Sequence, residues 1–152
     1  MIEILDKAIT KTQETLIIKH SDKLKLNPAY TFFLRQMADL MDSGHAGKIT
    51  SWDDDECGII WGEIDNDVVG IFAYNRQNTN KSILEILLTA VDKKHRRKGI
   101  HTILNKQFEH VATSMNCDIT AATISPNNKV RLLSAEKDGY KLMFYKMYKV
   151  IA

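Results

Sequence analysis

The chain is poor in cysteine and in proline. Cys57 and Cys117 are its only cysteines in 152 residues, and no Cys-x-x-Cys pair occurs. Neither a zinc site nor a disulfide framework is indicated, and a reducing cytosol is the simplest compartment. Pro28 and Pro126 are the only prolines, and neither marks an interdomain linker. Long apolar runs are missing too: none approaches the roughly 18–20 residues that span a bilayer. Residues Met1 to Thr10 mix Glu3, Asp6 and Lys7 with apolar side chains, unlike a secretory leader. Excess charge of one sign is also absent. Lys and Arg number 21 against 19 Asp and Glu, a formal net charge of +2. A protein that coats nucleic acid usually carries more. His20, His45 and His110 show no metal-ligand spacing. What remains is ordinary for one soluble globular domain over residues 1–152, with 44% hydrophobic and 26% charged residues.

The periodicity predicts a mixed α/β (α+β) domain whose central sheet is mostly antiparallel. Leu16 to Lys19 reads as a first short strand. Asn27-Pro28 is a helix start, because Asn caps and Pro suits the first helical position. Phe33, Met37, Leu40 and Met41 then fall at helical spacing, and Ser43-Gly44 is a stop, so a helix spans about Pro28 to Asp42. Gly58 to Ile64 and Val68 to Tyr74 flank Asp65-Asn66-Asp67 and read as a β-hairpin. After a polar turn from Asn75 to Lys81, Ile83 to Val91 is the most apolar strand, expected at the sheet centre and buried on both faces. Ile100, Ile103, Leu104, Phe108, Val111 and Met115 make a helical stripe. Ile119 to Ile124 follows as a strand parallel to the preceding one, through a β-α-β crossover. Pro126-Asn127-Asn128 opens a last helix that Gly139 closes, and Tyr140 to Ile151 reads as a final strand.

The segment Lys93-Lys94-His95-Arg96-Arg97-Lys98-Gly99 carries the most information. It joins a buried strand to the first turn of a helix, where the helix end is already electropositive and its N–H groups are unpaired. Crowding cations there is unfavourable unless an anion with several oxygens docks on those N–H groups. Gly99 lets the backbone approach such a ligand. The bland reading is a solvated basic turn. No Walker loop and no dinucleotide fingerprint is present.

The run Val91-Asp92-Lys93-Lys94-His95-Arg96-Arg97-Lys98-Gly99-Ile100-His101 resembles the acetyl-CoA signature of the GNAT superfamily. That signature ends its fourth strand on valine and continues, five residues later, as Arg/Gln-x-x-Gly-x-Gly/Ala. His101 stands where the signature has a small residue. Ile64 to Gly70 is similar to the family's "x-Asp-Gly-x-x-Val-Gly" hairpin. Asn128, eleven residues before Gly139-Tyr140, is similar to its Asn…Gly-Phe segment.

The resemblance implies a GNAT-like acyl-CoA N-acyltransferase fold and an N-acetyltransferase that moves the acetyl group of acetyl-CoA to an amine by direct attack. It implies that Thr89, Ala90 and Val91 pair with the pantetheine arm, and that the pyrophosphate rests on backbone N–H groups of Arg97, Lys98, Gly99, His101 and Thr102. Arg96 and Ile100 complete that segment, the His101 side chain is expected to point outward, and Asn128 and Arg131 are expected beside the cofactor. Glu85 is the sole charge between Ile83 and Val91. A carboxylate in such a strand is costly unless solvated or paired. The strand is similar to that of the histone acetyltransferase branch, whose glutamate is a general base, so Glu85 is the candidate base. Its bland reading is a solvated or Lys-paired carboxylate.

Relatives often protonate the leaving thiolate with a tyrosine seven residues after the asparagine; here that position is Ala135. Tyr140 and Tyr145 are then the candidate donors, and Tyr140 is carried forward. A non-catalytic acyl-CoA-binding module of the same fold is the alternative reading. Tyr30 and Phe33 are expected on the acceptor side. Asp53 to Glu56 reads as a solvated acidic loop or as an attractor of cationic acceptors. The partner is an amine, of a small molecule or a protein, with no role for nucleic acid or membrane. A homodimer is plausible, because a short final strand leaves an edge to cover.

Overall fold

The computed structural model of the chain describes residues 2–42, 56–76, 80–124, 127–142 and 149. Strands β1 (Ile2–Ile9) and β2 (Thr15–Ser21) precede helix α1 (Ala29–Asp42). Then come β3 (Cys57–Ile64), β4 (Asp67–Arg76), β5 (Ile83–Val91), α2 (Ile100–Ser114), β6 (Ile119–Ala122) and α3 (Lys129–Lys137). The six strands form one sheet in sequence order. All neighbours are antiparallel except β5 and β6, which are parallel. This is the mixed, mostly antiparallel α+β sheet that the sequence predicts.

Local chemistry explains the middle of the sheet. Asp65 and Asn66 have φ of 51° and 68°, so the β3–β4 connection is a two-residue turn whose twist suits a hairpin. Asn27 accepts from the Ala29 N–H at 2.9 Å and donates to the Lys23 and Leu24 carbonyls, which anchors the start of α1. Gly58 is required by its neighbour across the pair: a Cβ there would collide with the Tyr74 hydroxyl. That hydroxyl lies 2.7 Å from His20 Nε2, and burial pushes its pKa well above the ordinary phenol value.

Two apolar layers hold the sheet. On one face Ile60, Phe72, Tyr74, Leu84 and Ile86 pack against Ile100, Leu104 and Phe108 of α2. On the other, Ile59, Trp61, Ile71, Ala73 and Leu88 pack against Phe32, Phe33 and Met37 of α1. Each fully buried side chain of this size contributes about 1.5–3 kcal/mol. Trp61 also donates its indole N–H to buried Glu63, which is held by Lys19 as well.

The structure differs from the sequence reading in four places. The N-terminus forms a whole strand, β1, and the expected 16–19 strand is the longer β2. β1 escapes detection because Ile2, Ile4 and Ile9 are exposed and a bulge at Leu5 breaks its alternation. β5 is not at the sheet centre but next to the edge strand β6, and it packs on both faces, Leu84 and Ile86 in one core and Leu88 in the other, with half-buried residues between and beyond them. β6 is shorter than expected and ends at Ala122. Tyr140, Lys141, Leu142 and Lys149 are not strand, and the rest of the expected last strand, with Tyr145, lies outside the described residues. So do Ser43, Gly44, His45, Asp53 to Asp55 and Pro126.

Candidate active site

β5 and β6 pair over only four residues, Ile83 to Ile86 against Ile119 to Ala122. β5 then runs on to Val91, still paired with β4 as far as Gly70. From Leu87 to Val91 no described strand adjoins its other edge, and the outward peptide groups there, those of Thr89 and Val91, are paired with no described strand. A bulge marks the same place. Ala73 pairs with Leu88 and Tyr74 with Ile86, leaving Leu87 as an extra residue. It swaps the faces: Leu84 and Ile86 point to the α2 side, Leu88 and Ala90 to the α1 side. Thr89 therefore shares the α2 side with its partner Phe72, and Val91 packs there.

Both helices that follow these strands begin at this end of the sheet. In sheets of this kind the crevice beyond the strands' carboxyl ends is where ligands bind. Gly99 caps α2 in the left-handed region at φ +81°, where a side chain is disfavoured. The N–H groups of the first turn, Ile100, His101 and Thr102 among them, have no acceptor within the helix. Arg97 is also left-handed, at φ +63°. Alternation of such residues turns successive N–H groups to one side and makes an anion-binding concavity. Gly70 lets α2 sit close to β4, because a Cβ there would stand 3.1 Å from Ile100.

The cations of the loop are not equivalent. Asp92 accepts from the Lys94 N–H at 3.0 Å and caps the short 3-10 turn Lys93–His95. Arg96 Nε donates to the Val91 carbonyl across 3.4 Å. Lys98 Nζ donates to Glu14 at 2.6 Å and lies 3.1 Å from His95 Nδ1. Lys93, Lys94 and Arg97 are exposed. The Lys98 ammonium is thus used inside the protein, although its backbone remains part of the loop.

α3 brings two further expected residues to the same end. Asn128 caps it by accepting from the Arg131 N–H at 3.2 Å. Arg131 is half-buried, and burial pulls its pKa below the ordinary guanidinium value. Both its Nη atoms are buried without a hydrogen-bond partner. A buried guanidinium left like this costs stability unless an acceptor joins it. A strand edge that no described strand pairs, an open helix start and an orphaned guanidinium fit an extended, phosphate-bearing cofactor.

His101 does not point outward. Its Nε2 lies 2.9 Å from Asp138 at the end of α3, and its ring packs 5.1 Å from that of Phe72. This contact ties α2 to α3 and keeps the bulky ring off the loop, leaving only the backbone there.

The two proposed catalytic side chains lie on opposite faces of the sheet. Glu85 sits between Leu84 and Ile86, which face α2, so it projects to the α1 side. It stands beside Asn75 and Ala121 and accepts from the Thr123 hydroxyl at 3.2 Å. Tyr140 packs on the α2-side core, and its hydroxyl donates to Thr120 at 3.0 Å. Burial pushes its pKa up.

On the α1 side an open groove of about 430 Å³ runs beside the loop, lined by Thr31, Phe32, Arg35, Asn66, Lys94 and His95 among others. Phe33 is not part of it; it is fully buried and stacked on half-buried Tyr30. Glu56, the one described residue of the acidic run, is paired with Lys81 at 3.0 Å. Lys11 and Glu14, which meet the loop from the β1–β2 turn, carry no sequence signal, because both contacts are with Lys98, more than 80 positions away. Among the described residues no group of three metal-ligating side chains occurs, and no helix is long and apolar enough to cross a membrane.

The Acetyltransferase (GNAT) family model matches residues 25–140. The chain belongs to the GNAT acetyltransferase family. Solved structures share the fold of this family member. An aminoglycoside acetyltransferase, meta-AAC0020 from an uncultured soil metagenomic sample in complex with sisomicin, matches with a TM-score of 0.67 at 14% identity, covering 90% of this chain and 97% of that one. Ribosomal-protein-alanine N-acetyltransferase from Brucella melitensis biovar Abortus 2308 matches at 0.62 and 13% identity, covering 90% and 99%. Aminoglycoside N-acetyltransferase AAC(6')-Iy in complex with CoA matches at 0.59 and 18% identity, covering 87% and 99%. Among curated proteins none matches the GNAT chain in sequence.

Proposed function

We propose that this GNAT protein is an N-acetyltransferase that moves the acetyl group of acetyl-CoA to a primary amine. The observation that carries the reading is the edge of β5 from Leu87 to Val91, which no described strand pairs and which ends beside the open first turn of α2. Thr89, Ala90 and Val91 would hold the pantetheine arm by backbone hydrogen bonds. Arg96 to Thr102 would hold the diphosphate, with Gly99 giving close approach, and Asn128 and Arg131 would flank the arm from α3. When bound, acetyl-CoA supplies an acetyl group activated as a thioester. In a ternary complex the acceptor amine attacks that carbonyl directly once it has lost a proton.

Glu85 is the base of this reading, acting directly or through water from the α1 side. Tyr140 is the proton donor for the departing thiolate. It lies on the other face and must first release Thr120. Neighbours of this fold include enzymes for aminoglycosides and for a ribosomal protein's alanine, so the acceptor class is a small-molecule or protein amine. The setting is cytoplasmic, with no part for nucleic acid, and a homodimer fits the reading.

One observation favours the alternative, a non-catalytic acyl-CoA-binding module: Ala135, buried at 4% exposure, stands where relatives place a tyrosine. Titration calorimetry with acetyl-CoA, followed by an amine panel with wild type and Glu85→Gln, separates the two. Binding with turnover that Glu85→Gln abolishes supports the enzyme. Tight binding with no turnover on any amine supports the module, and no binding refutes both.

A further inference from the structure

The turn between β1 and β2 reaches the back of the cofactor loop and docks on it. The Lys11 N–H donates to the Lys98 carbonyl at 3.0 Å. Glu14 accepts from Lys98 Nζ at 2.6 Å. The stem of Lys11 runs along Gly99: its Cε, Cγ and Cδ stand 3.4, 3.6 and 3.7 Å from where a Cβ on Gly99 would lie. The turn is itself well tied. Thr10 is buried at 2% exposure, its N–H donates to the Glu14 carbonyl at 2.9 Å, and its hydroxyl accepts from the Glu14 N–H at 3.1 Å. Gln13 crosses the turn at φ +65° and donates to the Thr10 carbonyl.

This contact exchanges one cation for another. Lys98 is consumed by Glu14 and His95. Lys11 is exposed, with no ion pair among the described residues. Its Nζ is one bond beyond the Cε that lies over Gly99, the residue that caps α2. The stem thus places its ammonium beside Gly99, within reach of a ligand on the N–H groups that open the helix. A long side chain can keep its apolar stem on the protein and its charge in the solvent or on a ligand.

We propose that the β1–β2 turn completes the phosphate site for acetyl-CoA: Lys11 contacts a cofactor phosphate, and Glu14 is a positioning residue that holds the loop through Lys98. This rests on the cofactor reading above. The interaction is a charge-assisted one between ammonium and phosphate oxygen.

Titration calorimetry on the full chain tests it with three probes: acetyl-CoA, its 3'-dephospho form, and acetyl-pantetheine, which has no phosphate. Lys11→Met keeps the stem against Gly99. It is expected to weaken acetyl-CoA about tenfold, less at high salt, and to leave acetyl-pantetheine unchanged. A loss that persists with the dephospho form assigns Lys11 to the diphosphate, and a loss that disappears assigns it to the 3'-phosphate. Glu14→Gln is expected to raise KM for acetyl-CoA more than it lowers kcat, and adding Lys98→Met is expected to make it no worse. Wild-type binding of acetyl-CoA with full affinity retained in Lys11→Met would overturn this inference alone. No wild-type binding would overturn the cofactor reading and this inference together.

Discussion

Lys98 and Glu14 meet across 2.6 Å although 84 positions separate them in the chain. The pair links the N-terminal hairpin to the loop that leads into α2, and it gives that loop an acid-sensitive anchor. The Lys98 hydrogen bond, then the Thr12 hydroxyl, hold the Glu14 carboxyl below its ordinary pKa of 4.5. A group whose pKa is depressed on folding adds stability above its unfolded value, and loses it as pH falls through the folded one. Glu14→Gln is therefore expected to have a lower Tm than wild type at pH 7. The difference should shrink as pH drops below about 4.5. Thermal unfolding from pH 3 to 7 checks this, and a gap that is constant with pH contradicts it.

Gly99→Ala isolates the cost of the left-handed cap. The new Cβ would meet Lys11 carbons at 3.4 Å, an ordinary contact, so the penalty is conformational rather than steric. At φ +81° it should be about 1–2 kcal/mol. Urea unfolding measures it, and calorimetry should show weaker acetyl-CoA binding as well.

Arg131→Met removes a guanidinium whose two Nη atoms are buried and unpaired. Without ligand the variant should be as stable as wild type, or more stable by about 1 kcal/mol. With acetyl-CoA present its gain in Tm should be smaller than that of wild type. A large loss of stability without ligand would contradict the view that this group awaits an acceptor.

Much of the frame was legible because its signals are local. The Asp65-Asn66 turn, the Asn27 cap, the apolar run of β5 and the stripe on α2 each lie within a few residues. The loop was legible for the same reason, since charge crowded before Gly99 needs no distant partner to be noticed. β1 was not, because the bulge at Leu5 shifts its alternation and its isoleucines face outward. The inward turn of His101 depends on Asp138, 37 positions away, and so does not register in any local pattern. The placement of Glu85 and Tyr140 on opposite faces also needs the register of three strands.

Glu85→Gln tests the chemistry apart from binding. It should lower kcat by about a hundredfold or more. KM for acetyl-CoA should hardly move, because Glu85 lies in the part of β5 that β6 pairs, before Leu87 to Val91. Steady-state kinetics on an accepted amine reads both. A rise in KM with kcat intact would move Glu85 from catalysis to binding.

Backbone amide NMR during an acetyl-CoA titration tests the central claim most directly. The account predicts saturable shifts, with slowed hydrogen exchange, at Leu87 to Val91 and at Gly99 to Thr102. Saturable binding that leaves those amides unchanged would contradict it and place the cofactor elsewhere.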